Sequence, residues 1–170
     1  LCVDSPEDCP HYLAVELCNV TVADSPEWAQ KQLRAIGVQP INNVVDATNM
    51  VLHEFGNPLH AFDLAHISGS TVVVRKAKSE EPFVTLDGQQ RILHDHDLVI
   101  ADTSAPMCLA GVYGGEKSGV SQGTTEVLLE AAWFHPVTVR KTAKRHGLNT
   151  DASFRFERGI DPNTVRLAAE

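Results

Sequence analysis

The chain has 170 residues, a globular composition with 43% hydrophobic residues, and a formal net charge of −8 at pH 7. A chain of this length buries roughly 70% of the surface that it exposes when unfolded, so one domain, or two closely packed subdomains, can enclose a site. The acidic charge excludes a module that binds nucleic acid mainly by neutralising phosphates, because such modules are basic. It leaves open a site that reads only the end of an RNA.

The cysteines indicate the redox compartment of the chain, and the lack of a long apolar run argues against a membrane-spanning segment. Cys2, Cys9, Cys18 and Cys108 form no CxxC pair, so we expect free thiols in a reducing, cytoplasmic compartment, with Cys18 and Cys108 in the core. No run approaches the ~20 apolar residues that span a bilayer. The chain begins without methionine and ends inside a predicted helix, so we expect it to be a piece of a longer protein.

The first third of the chain predicts a strand followed by two helices. Residues 12–22 are rich in Val and Leu, which favours a strand. Residues 25–37 begin with Ser-Pro-Glu and end in Gly, the signals of a helix start and stop. Residues 43–55 have helical spacing, with Asn43 as the expected cap, and residues 58–63 are expected to form a turn or a short helical turn. The apolar face of the first helix is predicted to consist of Trp28, Ala29, Leu33 and Ile36.

Strand signals dominate the middle of the chain. Strands are predicted over residues 71–76, 83–86, 91–93, 98–101, 107–112 and 126–133. The second and third of these form a hairpin, because Asp87-Gly88 suits a tight turn. Helices are predicted over residues 136–146 and from Asp161 onward. The order of helices, strands and helices predicts an α+β fold with mixed or antiparallel sheets and flanking helices.

Glu130 is the only charged residue in the apolar run of residues 127–134. Strand alternation places it on the same side as Leu128, Ala132 and Phe134. A carboxylate in such surroundings must reach water, find a partner, or have its pKa raised by desolvation. The alternative is an edge strand on which Glu130 faces solvent.

A polar cluster on the second helix and a nearby histidine are further candidates. Asp46, Thr48 and Asn49 are unfavourable inside a helix unless their side chains have a partner, and His60 follows on the predicted turn, where a side chain can point into a cleft. Alternatively, Asp46 and Asn49 only solvate a helix face, and His60 is an ordinary packed or surface residue. Since no Ser-His-Asp or Cys-His arrangement is evident, any hydrolysis is expected to use a positioned water.

A pair of histidines has a metal interpretation and a simpler one. His94 and His96 share one face of a strand end, but no third and fourth ligand lies nearby in the sequence. We therefore favour an exposed polar turn. A metal-dependent hydrolase that uses His94, His96 and His60 is the alternative.

Basic residues concentrate on the helix that ends at Gly147 and shortly after it. They either solvate the helix and complement its dipole, or they contact RNA backbone. They are Arg140, Lys141, Lys144, Arg145, Arg155 and Arg158. The glycine-rich residues 111–115 let the backbone approach a ligand closely, or they form a simple turn; they match no phosphate-binding loop.

Four strings occur in series and together resemble a known family. They are QPINNVVDATN (residues 39–49), PLHAFD (58–63), TLDG (85–88) and HGLNTDASFRFERGIDP (146–162). They resemble the B3/B4 region of bacterial phenylalanyl-tRNA synthetase beta chains, and the similarity covers nearly the whole chain. The resemblance implies that residues 1–170 are a B3/B4 tRNA-editing domain of a longer beta subunit, built as two closely packed subdomains.

The resemblance implies hydrolysis of mischarged tyrosyl-tRNA(Phe). Such editing is needed because an apolar pocket rejects an isostere with one extra hydroxyl by only about 10²-fold. Glu130 matches the family position that meets the tyrosine hydroxyl, and the expectation is that it accepts a hydrogen bond from this phenol. The positions around the ester and the attacking water are matched by His60, Asn49 and Thr48. The positions that line the amino-acid pocket are matched by Gly114, Thr150 and Ala152.

The resemblance also implies partners and cofactors. The expected partners are the mischarged 3′ end of tRNA(Phe) and an alpha subunit in an α2β2 assembly, with no DNA and no membrane. No metal and no cofactor are expected for this chain, whereas ATP and Mg²⁺ are expected for the full synthetase. The alternative is a non-catalytic module of the same synthetase that contacts tRNA or a subunit.

Overall fold

Strands and helices alternate irregularly along the chain in the computed structural model, which describes all 170 residues. In chain order, the elements are β1 (Cys2–Val3), β2 (His11–Leu17), α1 (Glu27–Ala35), α2 (Asn43–Phe55), β3 (Leu59–Asp63), β4 (Val73–Lys76), β5 (Pro82–Val84), β6 (Gln90–Ile92), β7 (Leu98–Ala101), β8 (Pro106–Leu109), β9 (Tyr113–Gly114), β10 (Val127–Trp133), α3 (Pro136–His146), α4 (Asp151–Phe156) and α5 (Thr164–Ala169). None of these helices has the length and apolar character that a membrane-spanning helix needs.

The strands form three sheets. A five-stranded sheet has the order β1-β4-β7-β8-β9, in which only the β1–β4 pair is parallel. A three-stranded antiparallel sheet has the order β2-β10-β3, and β5 and β6 form a separate hairpin. The predicted α+β fold with mixed and antiparallel sheets is therefore confirmed, as is the hairpin.

One continuous core joins the two larger sheets to α3 and α4. All four residues of β7 are buried, which explains why this strand is apolar on both faces. Phe62 of β3, Phe134 after β10 and Phe156 of α4 belong to the same core cluster, and the rings of Phe134 and Phe156 meet edge to face at 5.1 Å. The sheets are thus packed closely enough to share a cavity, while the division into two subdomains stays a prediction.

The start of α2 is fixed by side-chain capping that differs from the expected pattern. The cap is Asn42, whose side-chain oxygen accepts hydrogen bonds from the amides of Val44 and Val45. The expected cap, Asn43, is already helical, because its side chain bonds to the backbone of the preceding segment instead. Gly56 ends the helix in the left-handed conformation with φ of +73°, as the sequence predicted.

Asp46, one of the polar residues of α2, has hydrogen-bond partners inside the protein. Its carboxylate is buried and accepts a hydrogen bond of 2.5 Å from the Ser25 hydroxyl and one of 2.8 Å from the Ile41 amide. Of the two alternatives for Asp46, the one in which its side chain has a partner is confirmed, and the one in which it solvates a helix face is wrong. Ser25 consequently does not cap α1, whose capping position is Pro26 without a side-chain bond.

Several other expectations are corrected. Residues 58–63 were expected to be a turn, but β3 forms there because β10 supplies its backbone partners. Helix α4 was not predicted, although Thr150 and Ser153 form a reciprocal capping box at its start. The last helix begins at Thr164 rather than Asp161, because the Asp161 side chain turns the chain by accepting from the Asn163 amide.

Two apolar expectations were wrong in part. Ala29 and Leu33 of α1 are buried, but Trp28 and Ile36 are 58% and 53% exposed, so the buried face of α1 is narrower than predicted. All four cysteines are free, as expected, and Cys108 is buried. Cys18, expected in the core, is exposed because it directly follows the edge strand β2.

A buried ionic cluster around Asp97 attaches α3 to β7. The Asp97 carboxylate has no exposed surface and is paired with Arg145, with His146 Nε2 at 2.7 Å, with the Thr142 hydroxyl at 3.1 Å and with the His94 amide at 2.9 Å. Burial alone would raise the pKa of Asp97, but the hydrogen bonds from His146 and His94 and the charges of His146 and Arg145 outweigh it and lower the pKa to about 2. Its charge therefore stabilises the fold.

We expect Asp97→Asn to lower the free energy of unfolding by about 2 kcal/mol or more at pH 7, because it leaves Arg145 of α3 without its ionic partner. Since the pKa of Asp97 is lowered by folding, this difference is present above about pH 4 and declines as the pH falls toward 2. Denaturant unfolding between pH 2 and 7 measures it. Asp95→Asn, two residues away and exposed, is the matched control. Equal effects of both variants would contradict the role of Asp97.

Candidate functional site

A cavity of about 310 Å³ lies where β3, β9 and β10 meet the start of α4. Five of the seven residues expected at the site line it: His60 from β3, Gly114 from β9, Glu130 from β10, and Thr150 and Ala152 at the start of α4. The rest of the wall is formed by Pro58, Leu59, Leu86, Cys108, Gly111, Val112, Tyr113 and Phe156. The cavity is therefore apolar with a few converging polar groups, as small-molecule sites usually are.

Strand register places Glu130 directly opposite His60. The two residues pair across β10 and β3, so their side chains leave the same side of the sheet, roughly 5 Å apart at Cβ. Because β10 is the central strand, with β2 on its other side, the alternative of an edge strand with a solvated Glu130 is wrong. Glu130 is only 5% exposed.

The Glu130 carboxyl has one engaged oxygen and one free oxygen. The Tyr12 hydroxyl donates a 2.8 Å hydrogen bond to Oε2. Oε1 makes no hydrogen bond to the protein and is not fully buried, so it opens to the cavity that Glu130 lines. Burial raises the pKa of Glu130 to about 8, although the hydrogen bond from Tyr12 acts in the opposite direction. Glu130 is consequently a neutral acid at neutral pH.

His60 presents an unpaired nitrogen. Its Nε2 is buried and has no hydrogen-bond partner in the protein, and its ring meets Phe62 edge to face with centroids 4.5 Å apart. Burial lowers the pKa of His60 to about 4, so the ring is a neutral imidazole at pH 7. An unpaired buried polar atom such as Nε2 costs about 1–3 kcal/mol. The other ring nitrogen, Nδ1, also makes no hydrogen bond to the protein but is not fully buried, so it is the nitrogen that a ligand in the cavity can reach.

Gly114 sets the width of the cavity between His60 and Leu86. A Cβ atom at this position would lie 2.8 Å from Leu86 Cδ1 and 2.9 Å from His60 Cε1. Both distances are shorter than van der Waals contact, so a side chain here would push His60 out of place. The expected close approach at the glycine-rich segment is therefore present at Gly114.

The start of α4 forms one wall through its cap. The Thr150 hydroxyl donates to the Val112 carbonyl at 2.9 Å and accepts from the Ser153 amide at 3.0 Å. These bonds attach α4 to the segment before β9, and they hold Ala152 at the cavity surface. Because its hydrogen bonds are used inside the wall, Thr150 shapes the cavity.

Thr48 and Asn49 are the two expected site residues that do not line the cavity. Both lie on α2, which packs against β3. The Thr48 hydroxyl donates to the Val45 carbonyl of its own helix at 2.7 Å. Their assignment to the site stays a prediction.

Tyr12 is the polar residue near the cavity that the sequence did not reveal. It is separated from Glu130 by 118 residues, and only the pairing of β2 with β10 brings the two side chains together. A Tyr in an alternating strand is ordinary. The one available signal was the need of Glu130 for a partner.

The other candidates lie elsewhere. His94 and His96 are exposed, and no group of three or more His, Cys, Asp or Glu side chains is arranged to hold a metal ion. Within the basic helix α3, Arg145 is paired with Asp97, while Arg140, Lys141 and Lys144 are exposed. A second cavity of about 470 Å³ contains none of the expected site residues.

Comparison with known proteins identifies the domain. The profile of the family described as "B3/4 domain" matches residues 8–170. The chain belongs to the B3/4 domain family. This B3/4 domain is 58% identical over 163 residues to the phenylalanine–tRNA ligase beta subunit of Bacteroides thetaiotaomicron, covering 96% of the chain and 20% of the relative. It is 57% identical over 171 residues to the same subunit of Bacteroides fragilis, covering 98% of the chain and 21% of the relative.

The B3/4 domain thus spans about a fifth of the length of these relatives. A solved structure has a similar fold: an N-terminal fragment of the phenylalanyl-tRNA synthetase beta subunit from Pyrococcus horikoshii, with a TM-score of 0.55 and 13% identity, covering 85% of this chain and 48% of that one. At that identity the likeness concerns the fold alone.

We expect Glu130→Gln to change the pH dependence of stability. In the natural B3/4 domain, folding raises the pKa of Glu130, so the folded state holds a proton that the unfolded state releases between about pH 4.5 and 8. The contribution of Glu130 is therefore full below about pH 4.5 and is lost as the pH rises to 8, by up to ~1.4 kcal/mol per pH unit. Glutamine does not titrate, so the variant gains stability relative to the natural protein from pH 5 to pH 8.

Denaturant unfolding at a series of pH values measures the difference in free energy of unfolding between the variant and the natural protein. His60, whose pKa is lowered by folding, makes stability rise with pH in both proteins, so its contribution cancels in this difference. Glu16→Gln, on the exposed part of β2, is the matched control and should leave the profile unchanged. A difference between Glu130→Gln and the natural protein that stays constant over this range would show that Glu130 titrates normally.

Proposed function

We propose that this chain is an editing domain of a phenylalanine–tRNA ligase beta subunit, in which it hydrolyses the ester of tyrosyl-tRNA(Phe). The observation that carries the proposal is the pairing of Glu130 with His60 in one apolar cavity. The first residue offers a free carboxyl oxygen for a phenol, and the second offers an unpaired imidazole nitrogen for the ester or for water. The similarity to phenylalanine–tRNA ligase beta subunits supports the same proposal.

Selectivity follows from the cost of an unpaired polar group. When tyrosine fills the cavity, its hydroxyl reaches the free oxygen of Glu130. When phenylalanine fills it, the ring displaces water from Glu130 and supplies no hydrogen bond in return. That difference is worth about 1–3 kcal/mol, or roughly 5- to 150-fold. Because Glu130 is neutral at pH 7, neither amino acid leaves an isolated buried charge.

In the proposed reaction, water attacks the carbonyl carbon of the ester. The bond between that carbon and the ribose oxygen breaks, the ribose oxygen takes a proton, and tyrosine and tRNA(Phe) are released. A histidine with a pKa of about 4 is a weak general base at neutral pH. His60 therefore orients the ester and the water through its free nitrogen, and positioning supplies most of the rate. The neighbouring ribose hydroxyl is available to assist the proton transfer.

The wider assembly is proposed on the family relationship. The domain would act on the 3′ end of tRNA(Phe) held by other parts of the synthetase, with an alpha subunit in an α2β2 assembly in the cytoplasm. Neither a metal nor another cofactor takes part in the proposed hydrolysis. ATP and Mg²⁺ are proposed only for the aminoacylation reaction of the full enzyme. Thr48 and Asn49 would take part only if they meet the tRNA end outside the cavity.

We expect Glu130→Ala to reduce the preference for tyrosyl-tRNA(Phe) over phenylalanyl-tRNA(Phe) by at least tenfold, because the phenol loses its partner. Loss of the two esters is followed with the intact synthetase that contains this chain. Glu16→Ala, exposed on β2, is the control. If the natural enzyme binds the tRNA without releasing tyrosine, the chain is a non-catalytic interaction module, and the proposed function is wrong.

We expect Gly114→Ala to reduce deacylation of tyrosyl-tRNA(Phe) by about tenfold or more while the melting temperature changes by only a few degrees. The added methyl group displaces His60 and narrows the cavity, but it meets only side-chain atoms. Gly119→Ala is the control, because its Cβ would meet Leu86 at an ordinary 3.7 Å. Full activity of Gly114→Ala would show that the reaction occurs elsewhere.

A further inference from the structure

We propose that Tyr12 is a positioning residue that determines which hydrogen bond Glu130 offers to the bound aminoacyl group. By donating to Oε2, the Tyr12 hydroxyl makes Oε1 the oxygen that carries the acid proton into the cavity. Glu130 then donates to the phenol oxygen of tyrosine. This inference rests on the proposed function and goes beyond it, since it assigns a further residue and the direction of the hydrogen bond.

The sheet places Tyr12 beside Glu130 with little freedom. On β2, Ala14 pairs with Glu130, and Tyr12 pairs with Ala132. Tyr12 and Glu130 are therefore diagonal neighbours on one side of the sheet, within reach of an aromatic side chain. Tyr12 packs against the core cluster and does not line the cavity. It can influence a ligand only through Glu130.

Tyr12 is a fixed donor. Burial, and next the nearby Glu130 carboxyl, raise the pKa of the Tyr12 phenol well above its ordinary value, so the hydroxyl keeps its proton throughout the physiological range. Its only hydrogen bond is the 2.8 Å bond to Glu130 Oε2. The oxygen that receives this bond must act as an acceptor.

The acceptor requirement selects one arrangement of the carboxylic acid. In a neutral carboxyl group, the carbonyl oxygen is a better acceptor than the hydroxyl oxygen. The bond from Tyr12 therefore favours Oε2 as the carbonyl and Oε1 as the hydroxyl. Burial keeps Glu130 neutral up to about pH 8, and Oε1 opens to the cavity. Glu130 consequently presents a single O–H donor to the cavity. A phenol oxygen can accept this bond, whereas the ring of phenylalanine cannot.

This arrangement predicts different outcomes for two replacements of Glu130. In Glu130→Gln, the amide oxygen takes the hydrogen bond from Tyr12, and the NH₂ group faces the cavity as a donor in place of the Oε1 hydroxyl. We expect this variant to keep the preference for tyrosyl-tRNA(Phe) over phenylalanyl-tRNA(Phe) within about fivefold of the natural enzyme. Glu130→Ala has no donor and loses the preference by at least tenfold. If Glu130 instead accepted from the phenol as a carboxylate, the glutamine variant would behave like the alanine variant.

Tyr12→Phe tests the positioning role directly. Without the Tyr12 hydroxyl, the two carboxyl oxygens are no longer distinguished, which costs about twofold. The carboxyl group also loses the hydrogen bond that holds it in place, which costs about fivefold more, so we expect the tyrosine preference to fall by about tenfold. The loss should come from slower hydrolysis of tyrosyl-tRNA(Phe), with little change for phenylalanyl-tRNA(Phe). In a Glu130→Ala background, Tyr12→Phe should change the preference no further. A merely structural role would slow both substrates equally in both backgrounds.

The test uses the intact synthetase that contains this chain and measures kcat/KM for both charged tRNAs, with thermal unfolding to confirm that each variant is folded. Glu16→Gln is the control, because Glu16 lies exposed on the same strand as Tyr12 and does not line the cavity. A natural enzyme with no tyrosine preference would overturn the proposed function. If the natural enzyme prefers tyrosyl-tRNA(Phe) but Tyr12→Phe keeps this preference, the inference about Tyr12 is wrong while the proposed function stands. The same conclusion follows if Glu130→Gln loses the preference. If Tyr12→Phe does not fold, Glu130→Gln still tests the inference.

Discussion

The burial of Glu130 on the central strand of the three-stranded sheet is the constraint on which the site depends. Because β2 and β3 flank β10 on either side, the carboxyl cannot turn to solvent at a sheet edge. Leu128, Ala132 and Phe134, which share its side of the strand, all face the core cluster. The acid must therefore find its hydrogen bonds among its neighbours or in the cavity. Tyr12 supplies one partner, and the cavity is left to supply the other.

The same packing gives the cavity its shape. The core that joins the two larger sheets brings β9 close to β3, and the missing side chain at Gly114 keeps His60 and Leu86 apart. The Thr150 cap then closes one side by bonding to Val112. Each of these contacts stabilises the fold in addition to shaping the cavity. Together they leave a space in which Glu130 and His60, from neighbouring strands, have polar atoms without a protein partner.

Local signals in the sequence predicted the elements well where one residue type decides the structure. Gly56 and Gly147 end α2 and α3 in the left-handed conformation, and Asp87-Gly88 forms the expected turn between β5 and β6. Local signals failed where a distant partner decides. Residues 59–63 form a strand only because β10 pairs with them, and Asp46 is buried because Ser25 and Ile41 satisfy it.

The site shows the same division. The anomaly of Glu130 was visible as a charge in an apolar run, and the resemblance to the B3/B4 region indicated five residues that line the cavity. The cross-strand pairing of Glu130 with His60 joins residues that are 70 positions apart, and the bond from Tyr12 joins residues that are 118 apart. Both depend on strand register, which no local pattern encodes. The two expected residues that lie outside the cavity, Thr48 and Asn49, belong to a helix whose packing on β3 was equally hidden.

Burial raises the pKa of Glu130 and lowers the pKa of His60, and both shifts favour the uncharged form of the group. The pKa of Glu130 rises to about 8 and that of His60 falls to about 4, so both are neutral at pH 7. An acidic chain with a net charge of −8 therefore presents an uncharged pair to whatever enters. A closely placed carboxylate would repel the phosphates of an RNA end, whereas a neutral acid and a neutral imidazole recognise a ligand by hydrogen bonds alone. Neutralisation by burial is thus the property of this cavity on which the proposed action on an aminoacylated RNA end depends.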